Sequence, residues 1–288
     1  MKDYDFKKDI FRIRKYFGLS QMAFANEVGV SRISLARWEA GSVSPSPEAV
    51  ERVYSYAYAN GLALSQAKAD FFQEESRKQI LLFHGTEATI SGSVDPFHSV
   101  PPNDFGNGFY AGTNLNQAAT WIAEKRKGSV YAFYFPIQSK LRSCRFETGR
   151  EWMYAVLYFR GAFRGFEASE EVLEIARIVQ ESDYVIAPIA DNQMYQILNS
   201  FAHNEITDEA CFHALSATNL GMQYVFKSTK ACSKLLPLDR IYLCDEEKRD
   251  YAFAKEAMTK QGLSKAQLAL IEYRRKGKYF DELFTRIR

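Results

Sequence analysis

The sequence predicts an α+β protein in three parts: an N-terminal all-α segment, a segment of mixed short strands and helices, and a helical C-terminal tail. The first 66 residues break into short helical periodicities with serine caps. Residues 79–243 contain short apolar, β-prone runs bounded by glycine and proline, and the composition after Leu243 becomes charged and helix-compatible. The 288 residues are 47% hydrophobic, so two hydrophobic cores can form.

In the N-terminal segment, Ile10 and Ile13 fall on one helical face. Ser20 is placed to cap the helix QMAFANEVG, and Ser31 to cap RISLARWEAG, with a glycine in the turn between them. This is the helix-turn-helix layout. The run LSQMAFANEVGVSRISLARWEAG, followed by a proline-containing loop and PEAVERV, resembles the Xre-type DNA-binding domains related to phage repressors, over about residues 6–66.

The resemblance implies that the helix from Ser31 lies in a major groove of operator DNA. Arg32, Ser34 and Arg37 would then face bases or phosphates, and Gln21 would contact a backbone phosphate. Residues 1–75 contain 10 Lys+Arg and 10 Asp+Glu, so no strongly basic footprint accompanies the layout. Dimerisation or docking to a protein partner is therefore an alternative to DNA binding.

The second segment opens with LLFHGT, in which an apolar run indicates a buried strand that ends at His84. Gly85 has no side chain and lets a planar ligand approach the main chain. In DFGNGFYAGTNLNQAATW, glycines precede an aromatic pair ending at Tyr110, and Asn114 is a candidate cap for an alanine-rich helix that carries Trp121. Further on, MQYVF is apolar and β-prone.

These motifs resemble the ADP-ribosyltransferase superfamily of the diphtheria-toxin and poly(ADP-ribose) polymerase type. Its first motif is a strand ending in His-Gly-Ser/Thr, and its second is Phe-Gly-x-Gly-Ile/Phe-Tyr before a helix. The spelling here is closest to a bacterial, toxin-like branch in which the final strand carries Gln-Tyr instead of a catalytic glutamate. The resemblance covers about residues 79–236 and implies a split β-sandwich fold, with NAD as substrate and no metal.

The resemblance also implies a division of labour within the site. His84 would bind an adenosine-side ribose hydroxyl, the Gly85 main chain would pair with the nicotinamide carboxamide, and Tyr110 and Trp121 would cover the two faces of the ring. The implied catalytic set is His84, Tyr110 and Gln223. The implied NAD-binding set is His84, Gly85, Thr86, Gly108, Tyr110 and Trp121.

Gln223 departs from the best-known family pattern. An amide can orient the nicotinamide ribose through a hydrogen bond, but it has no pKa with which to accept a proton. We therefore expect transfer of single ADP-ribose units to an acceptor in protein, RNA or DNA, rather than polymer formation. Glu151 and Asp191 are candidate helpers that would activate the acceptor.

The predicted boundaries give a helix-turn-helix domain at 1–66, a helical linker at 67–78, a transferase-like domain at 79–243 and a helical extension at 244–288. Within the extension, Gly262 is expected to separate two helices, with Ser264 capping the second. Residues 246–288 carry 11 Lys+Arg against 7 Asp+Glu, which favours a solvated charged face over contact with nucleic acid or a partner subunit.

The formal net charge is +2, no apolar run is long enough to cross a bilayer, and no export signal precedes the first helix. The four cysteines show no CxxC pairing, and the histidines no metal-ligand spacing, so reduced thiols in a cytoplasmic protein are expected. We expect an NAD-dependent mono-ADP-ribosyltransferase that acts as a toxin or phage-defence effector, with an antitoxin protein as a candidate partner. A helix-turn-helix regulator that senses NAD, and an NAD glycohydrolase, are the alternatives.

Overall fold

The computed structural model describes residues 5–99, 102–125, 127–137, 140–190, 192–216 and 221–287. The helices of these residues are α1 (Phe6–Tyr16), α2 (Gln21–Glu27), α3 (Arg32–Ala40), α4 (Pro47–Ala59), α5 (Leu64–Glu75), α6 (Leu115–Ile122), α7 (Arg150–Phe159), α8 (Glu170–Glu181), α9 (Asn192–Ala202), α10 (Asp208–Ser216), α11 (Thr229–Cys232), α12 (Asp245–Tyr273) and α13 (Phe280–Leu283). The strands are β1 (Gln79–Thr86), β2 (Phe109–Gly112), β3 (Ser129–Pro136), β4 (Ser143–Arg145), β5 (Tyr184–Pro188), β6 (Met222–Phe226) and β7 (Leu236–Ile241). The predicted α+β class and the helical tail are confirmed.

The chain divides into two compact units. The first comprises residues 1–92, 114–135 and 236–254, and the second comprises 93–113, 136–235 and 255–288. The first unit therefore combines helices α1 to α5 with β1, α6, β3 and β7. The second contains β2, β4, β5 and β6 together with α7 to α11.

Among the five N-terminal helices, α2, α3 and α4 each begin at a serine cap. Ser20 accepts a hydrogen bond from the amide of Ala23, and Ser31 accepts one from the amide of Ser34, so both predicted caps are confirmed. Ser46 caps α4 in the same way. The apolar faces of these helices meet in a shared core of buried residues: Ile10, Ile13, Phe24, Leu35, Trp38, Val50 and Val53.

The strands of the first unit lie in the order β1-β3-β7, with β3 antiparallel to β7. Helix α6 packs on this sheet through Leu115, Ala119 and Ile122, which are buried together with Leu81 and Phe83 of β1. The predicted cap of α6 is confirmed as a capping box, in which Asn114 accepts from the Gln117 amide and the Gln117 side chain accepts from the Asn114 amide.

A buried ion cluster joins the helices of the first unit to its sheet. The Lys68 ammonium on α5 contacts the Asp9 carboxylate of α1 at 2.5 Å and the Asp239 carboxylate of β7 at 2.8 Å. The Tyr54 hydroxyl donates to Asp9 at 2.7 Å. Asp9 is fully buried, and burial raises the pKa of its carboxyl despite the opposing effect of Lys68. Through this cluster, Lys68 of α5 becomes part of the first unit's buried interior.

The strands of the second unit lie in the order β4-β5-β6-β2. β4 is parallel to β5, whereas β6 is antiparallel to both of its neighbours. Helix α7 buries Trp152, Met153 and Val156 against the sheet. β5 is the apolar run YVIAP, in which Val185 and Ala187 are buried.

The predicted division of the C-terminal extension is wrong. Helix α12 runs without a break through Gly262, and the Ser264 hydroxyl donates to the carbonyl of Lys260 four residues earlier instead of capping a new helix. A glycine inside a helix costs about 1 kcal/mol, which the hydrogen bonds and good helix formers on both sides offset.

Removal of the buried ammonium tests the ion cluster. Lys68→Met leaves the buried Asp9 carboxylate with only the half-exposed Arg12 guanidinium, at 3.7 Å, as a counter-ion, so we expect the free energy of unfolding to fall by about 3 kcal/mol. Urea unfolding followed by circular dichroism measures this change. Adding Asp9→Asn to the Lys68→Met variant removes the isolated charge and should recover part of the loss, and a double variant no more stable than Lys68→Met would contradict the cluster's role.

Candidate functional site

The His-Gly-Thr motif forms the end of β1 in the first unit. His84, Gly85 and Thr86 are half-buried there, and the Thr86 hydroxyl accepts a hydrogen bond from the amide of Ala88 at 3.1 Å. A Cβ built on Gly85 would lie 2.4 Å from the carbonyl oxygen of Ala118 in α6. Close packing of strand on helix therefore requires glycine at this position, whether or not a nicotinamide binds its main chain.

Trp121 lies on α6 in the same unit, with 56% of its surface exposed. The ammonium of Lys125, one helical turn further on, lies 5.5 Å from the centre of the indole ring, and Lys125 also pairs with Glu87 at 3.4 Å. An exposed indole is available for stacking on a flat ligand, as the resemblance implies.

Tyr110 and Gln223 meet on one face of the β2–β6 pair in the second unit. Tyr110 is opposite Val225 and Gly112 is opposite Gln223, so the side chains of Tyr110, Val225 and Gln223 share a face. Ala187 of β5 lies on the other flank of Gln223. The sequence predicted both residues for one site without indicating their register, and the sheet places them as diagonal neighbours.

Gln223 is 6% exposed and belongs to a hydrogen-bond network. Its amide nitrogen donates to Asp104 Oδ2 and to the carbonyl of Pro188, each at 3.1 Å. The Arg160 guanidinium binds Asp104 Oδ1 at 2.8 and 2.5 Å, and the amide of Ala190 donates to Asp104 Oδ2 at 3.3 Å. The network fixes the amide plane of Gln223, and no described residue donates to its side-chain oxygen.

The Tyr110 phenol holds the turn that follows Asp104. Its hydroxyl donates to the carbonyl of Gly106 at 2.7 Å and accepts from the amide of Phe105 at 3.1 Å. Burial raises the pKa of Tyr110, so the hydroxyl stays a donor. The Lys227 ammonium donates to the carbonyl of Phe105, and burial lowers its pKa to about 8.

The other residues predicted for the site in the second unit are Gly108, Glu151 and Asp191. A Cβ on Gly108 would lie 2.6 Å from Val225, so packing against β6 accounts for this glycine. Glu151 is exposed in the first turn of α7. Asp191 lies outside the described residues. The pairing of Asp104 with Arg160 could not be predicted, because a lone Asp before Phe-Gly and an Arg after a helix carry no local signal of it.

The residues predicted to contact DNA differ in their exposure and in whether they are already bonded within the helix-turn-helix. Arg32 and Arg37 are exposed on α3, beside Ile33 at 62% exposure. The hydroxyls of Ser31 and Ser34 lie 2.9 Å apart, within the cap of α3.

Gln21, in contrast, is bound within the fold. Its amide donates to Glu39 at 2.7 Å, and Arg14 holds the same carboxylate with two further hydrogen bonds. Burial works to raise the pKa of Glu39, but the hydrogen bonds from Arg14 and Gln21 outweigh it and lower that pKa. Arg32 and Arg37 are therefore the predicted residues best placed to contact DNA.

In the described part of the chain, no three His, Cys, Asp or Glu side chains are grouped to hold a metal ion. The four cysteines are free thiols. Among the described residues, no helix has the length and apolar character needed to cross a membrane.

Substitution of Gln223 tests its hydrogen bond to Asp104. Gln223→Glu places a second carboxylate 3 Å from that of Asp104, at a position where the amide donates, so we expect it to destabilise the protein by about 2 kcal/mol or more at pH 8. Protonation relieves the repulsion, so the deficit should shrink as the pH falls to 5. Gln223→Met, which removes the hydrogen bonds without adding charge, is the control in urea unfolding. Equal, pH-independent losses in both variants would show that repulsion with Asp104 is absent.

Two family models match separate segments of the chain. A helix-turn-helix family model matches residues 10–53, which confirms the N-terminal helix-turn-helix and supports DNA binding. Neither the comparison with curated proteins nor that with solved structures gives a match. A second family model matches residues 80–236, more than half of the chain. The chain therefore belongs to the family described as "Protein of unknown function (DUF3990)".

Proposed function

We propose that the chain is an NAD-dependent mono-ADP-ribosyltransferase joined to a DNA-binding helix-turn-helix. The observation that carries the proposal is the common face of Tyr110 and Gln223 on the β2–β6 pair, since the resemblance assigns these two residues to one nicotinamide-ribose site. The position of His84 at the end of β1 and the exposed indole of Trp121 on α6 give it further support.

The chemistry suits residues that orient rather than attack. Breaking the bond between nicotinamide and ribose produces an oxocarbenium-like ribose, which needs positioning and charge stabilisation more than a strong nucleophile. The amide hydrogens of Gln223 are committed to Asp104 and Pro188. Its side-chain oxygen is thereby oriented as an acceptor for a ribose hydroxyl, and His84 and Tyr110 would position the remainder of NAD.

The acceptor in this proposal is a macromolecule that is already nucleophilic. Gln223 cannot remove a proton from it, and Glu151 on α7 is the remaining described candidate for that role. Protein, RNA and DNA acceptors are all compatible with this chemistry. A role as toxin or phage-defence effector, with an antitoxin partner, rests on the resemblance alone.

A second candidate is a transcription regulator whose family domain senses NAD. The internal bonding of Tyr110 and Gln223 favours it, because both polar groups already stabilise the second unit and an NAD sensor needs neither of them for a chemical step. Both candidates share the helix-turn-helix, where the exposed Arg32 and Arg37 would supply phosphate or base contacts.

Labelled NAD separates the candidates. We expect the wild-type protein to release nicotinamide and to label one class of macromolecule in a cell lysate, as identified by protease or nuclease digestion. His84→Ala should abolish both, because it removes the ribose contact, whereas the matched control His213→Ala on α10 should not. NAD binding without nicotinamide release would favour the sensor, and release without labelling would favour a glycohydrolase. Full turnover in a folded His84→Ala variant would refute the assigned site.

Gel-shift titration tests DNA binding. Arg32→Ala combined with Arg37→Ala should weaken binding to the gene's upstream DNA and reduce the slope of log affinity against log salt by about 1 to 2, because each phosphate contact contributes about 0.9. Arg249→Ala removes an exposed arginine of the same unit outside α1 to α4 and serves as the control. If the wild type shifts no DNA at low salt, the domain docks a protein partner instead.

A further inference from the structure

The second unit contains a cavity of about 370 Å³ that none of the predicted site residues lines. Its walls come from the end of α7, the loop after it, helix α9 and the C-terminal residues. The side chains that matter for its chemistry are Arg160, Arg164, Phe166, Tyr195, His203 and Arg286.

The loop after α7 is built from a repeated triplet. Phe159-Arg160-Gly161 is followed after one alanine by Phe163-Arg164-Gly165, and both glycines have left-handed backbones with φ near +83 and +84. The chain thus turns after each arginine. The C-terminal residues then pair with this loop, since the amide of Glu167 donates to Thr285 at 2.7 Å and the amide of Ile287 donates to Gly165 at 2.9 Å. This pairing brings Arg286 to the cavity beside the two loop arginines.

The cavity carries an excess of positive charge. Three guanidiniums line it, and no aspartate or glutamate does. Arg160 is neutralised by Asp104 and stacks over Tyr195, with its guanidinium carbon 4.2 Å from the ring centre. Among the described residues, no carboxylate forms an ion pair with Arg164 or Arg286. These two charges face a concave surface and are left for an anionic ligand.

We infer that this cavity binds a phosphate-bearing nucleotide unit. Paired guanidiniums offer planar hydrogen-bond donors that match phosphate oxygens. Phe166 and Tyr195 add aromatic surface next to arginine, the combination on which nucleobases stack. The volume falls within the range of about 300 to 1,000 Å³ that is usual for small-ligand sites.

His203 completes the polar lining. Its Nδ1 lies 2.8 Å from the carbonyl oxygen of Asn199, which can only accept, so Nδ1 carries the proton. The other ring nitrogen is then an acceptor, which suits a ribose hydroxyl or a base amine. The phosphate itself could come from a free nucleotide or from a nucleic acid strand.

Calorimetry and fluorescence anisotropy on the full chain test the inference. We expect the wild type to bind AMP and a 5′-phosphorylated RNA oligonucleotide more tightly than adenosine. Arg164→Ala with Arg286→Ala should lower both phosphate-dependent affinities at least tenfold, while Arg177→Ala, which removes the same charge from the exposed face of α8, should not. AMP binding that persists in His84→Ala separates this cavity from the predicted NAD site. The inference is therefore tested independently of the proposed function.

The two ligand sources give different results. An oligonucleotide that binds at least tenfold more tightly than AMP, and loses this advantage in the double variant, identifies a nucleic acid strand; equal affinities identify a free nucleotide. If the double variant fails to fold by circular dichroism, Arg164→Gln alone, at an exposed loop position, replaces it. Wild-type affinity for AMP and RNA in a folded variant, or equal binding of AMP and adenosine to the wild type, overturns the inference.

Discussion

The first unit depends on one buried ammonium. Lys68 is 5% exposed and lies between carboxylates of α1 and β7, so a single side chain on α5 connects the helix-turn-helix core to the sheet. A buried charge is tolerated only where opposite charges compensate it, so α1, α5 and β7 must be positioned together. Further bonds reinforce the connection: Tyr242 and the Asp245 amide both donate to Glu51 of α4, and Ser65 donates to Glu247, whose pKa burial raises to about 7. The helix-turn-helix is thus integrated with β7 and the start of α12.

This integration explains which features the sequence could predict. Serine caps, the Asn114 cap and the β-prone run of β6 are decided by residues within four or five positions of each other, and they were predicted correctly. The helical nature of α5 was also predicted, but its burial was not. A lysine in a polar helix is normally solvated, and only partners 59 and 171 positions away, Asp9 and Asp239, make Lys68 a core residue. Long helix α12 shows the converse, since a local glycine signal was overruled by its flanking residues.

The candidate site shows the same division between local and distant information. The motif residues His84, Tyr110 and Gln223 could be identified from their neighbours, whereas the network that fixes Gln223 joins residues from four separate segments. Asp104 lies 119 positions from Gln223 and 56 from Arg160. Gly85 and Gly108 illustrate a different limit, because a motif glycine serves equally well for close ligand approach and for close packing, and the packing is what the fold displays.

Arg160 sets a constraint on how the second unit can work. Its guanidinium is shared between the Asp104 carboxylate and the Tyr195 ring, and it also lines the arginine-rich cavity. A ligand phosphate that drew Arg160 away would leave Asp104 buried with only the Gln223 and Ala190 donors, at a cost of several kcal/mol. The phosphate contacts in the cavity must therefore come from Arg164 and Arg286, while Arg160 stays with Asp104. Arg160 then acts as a fixed wall between the cavity and the Gln223 network, and it holds the amide in one orientation whether the cavity is filled or empty.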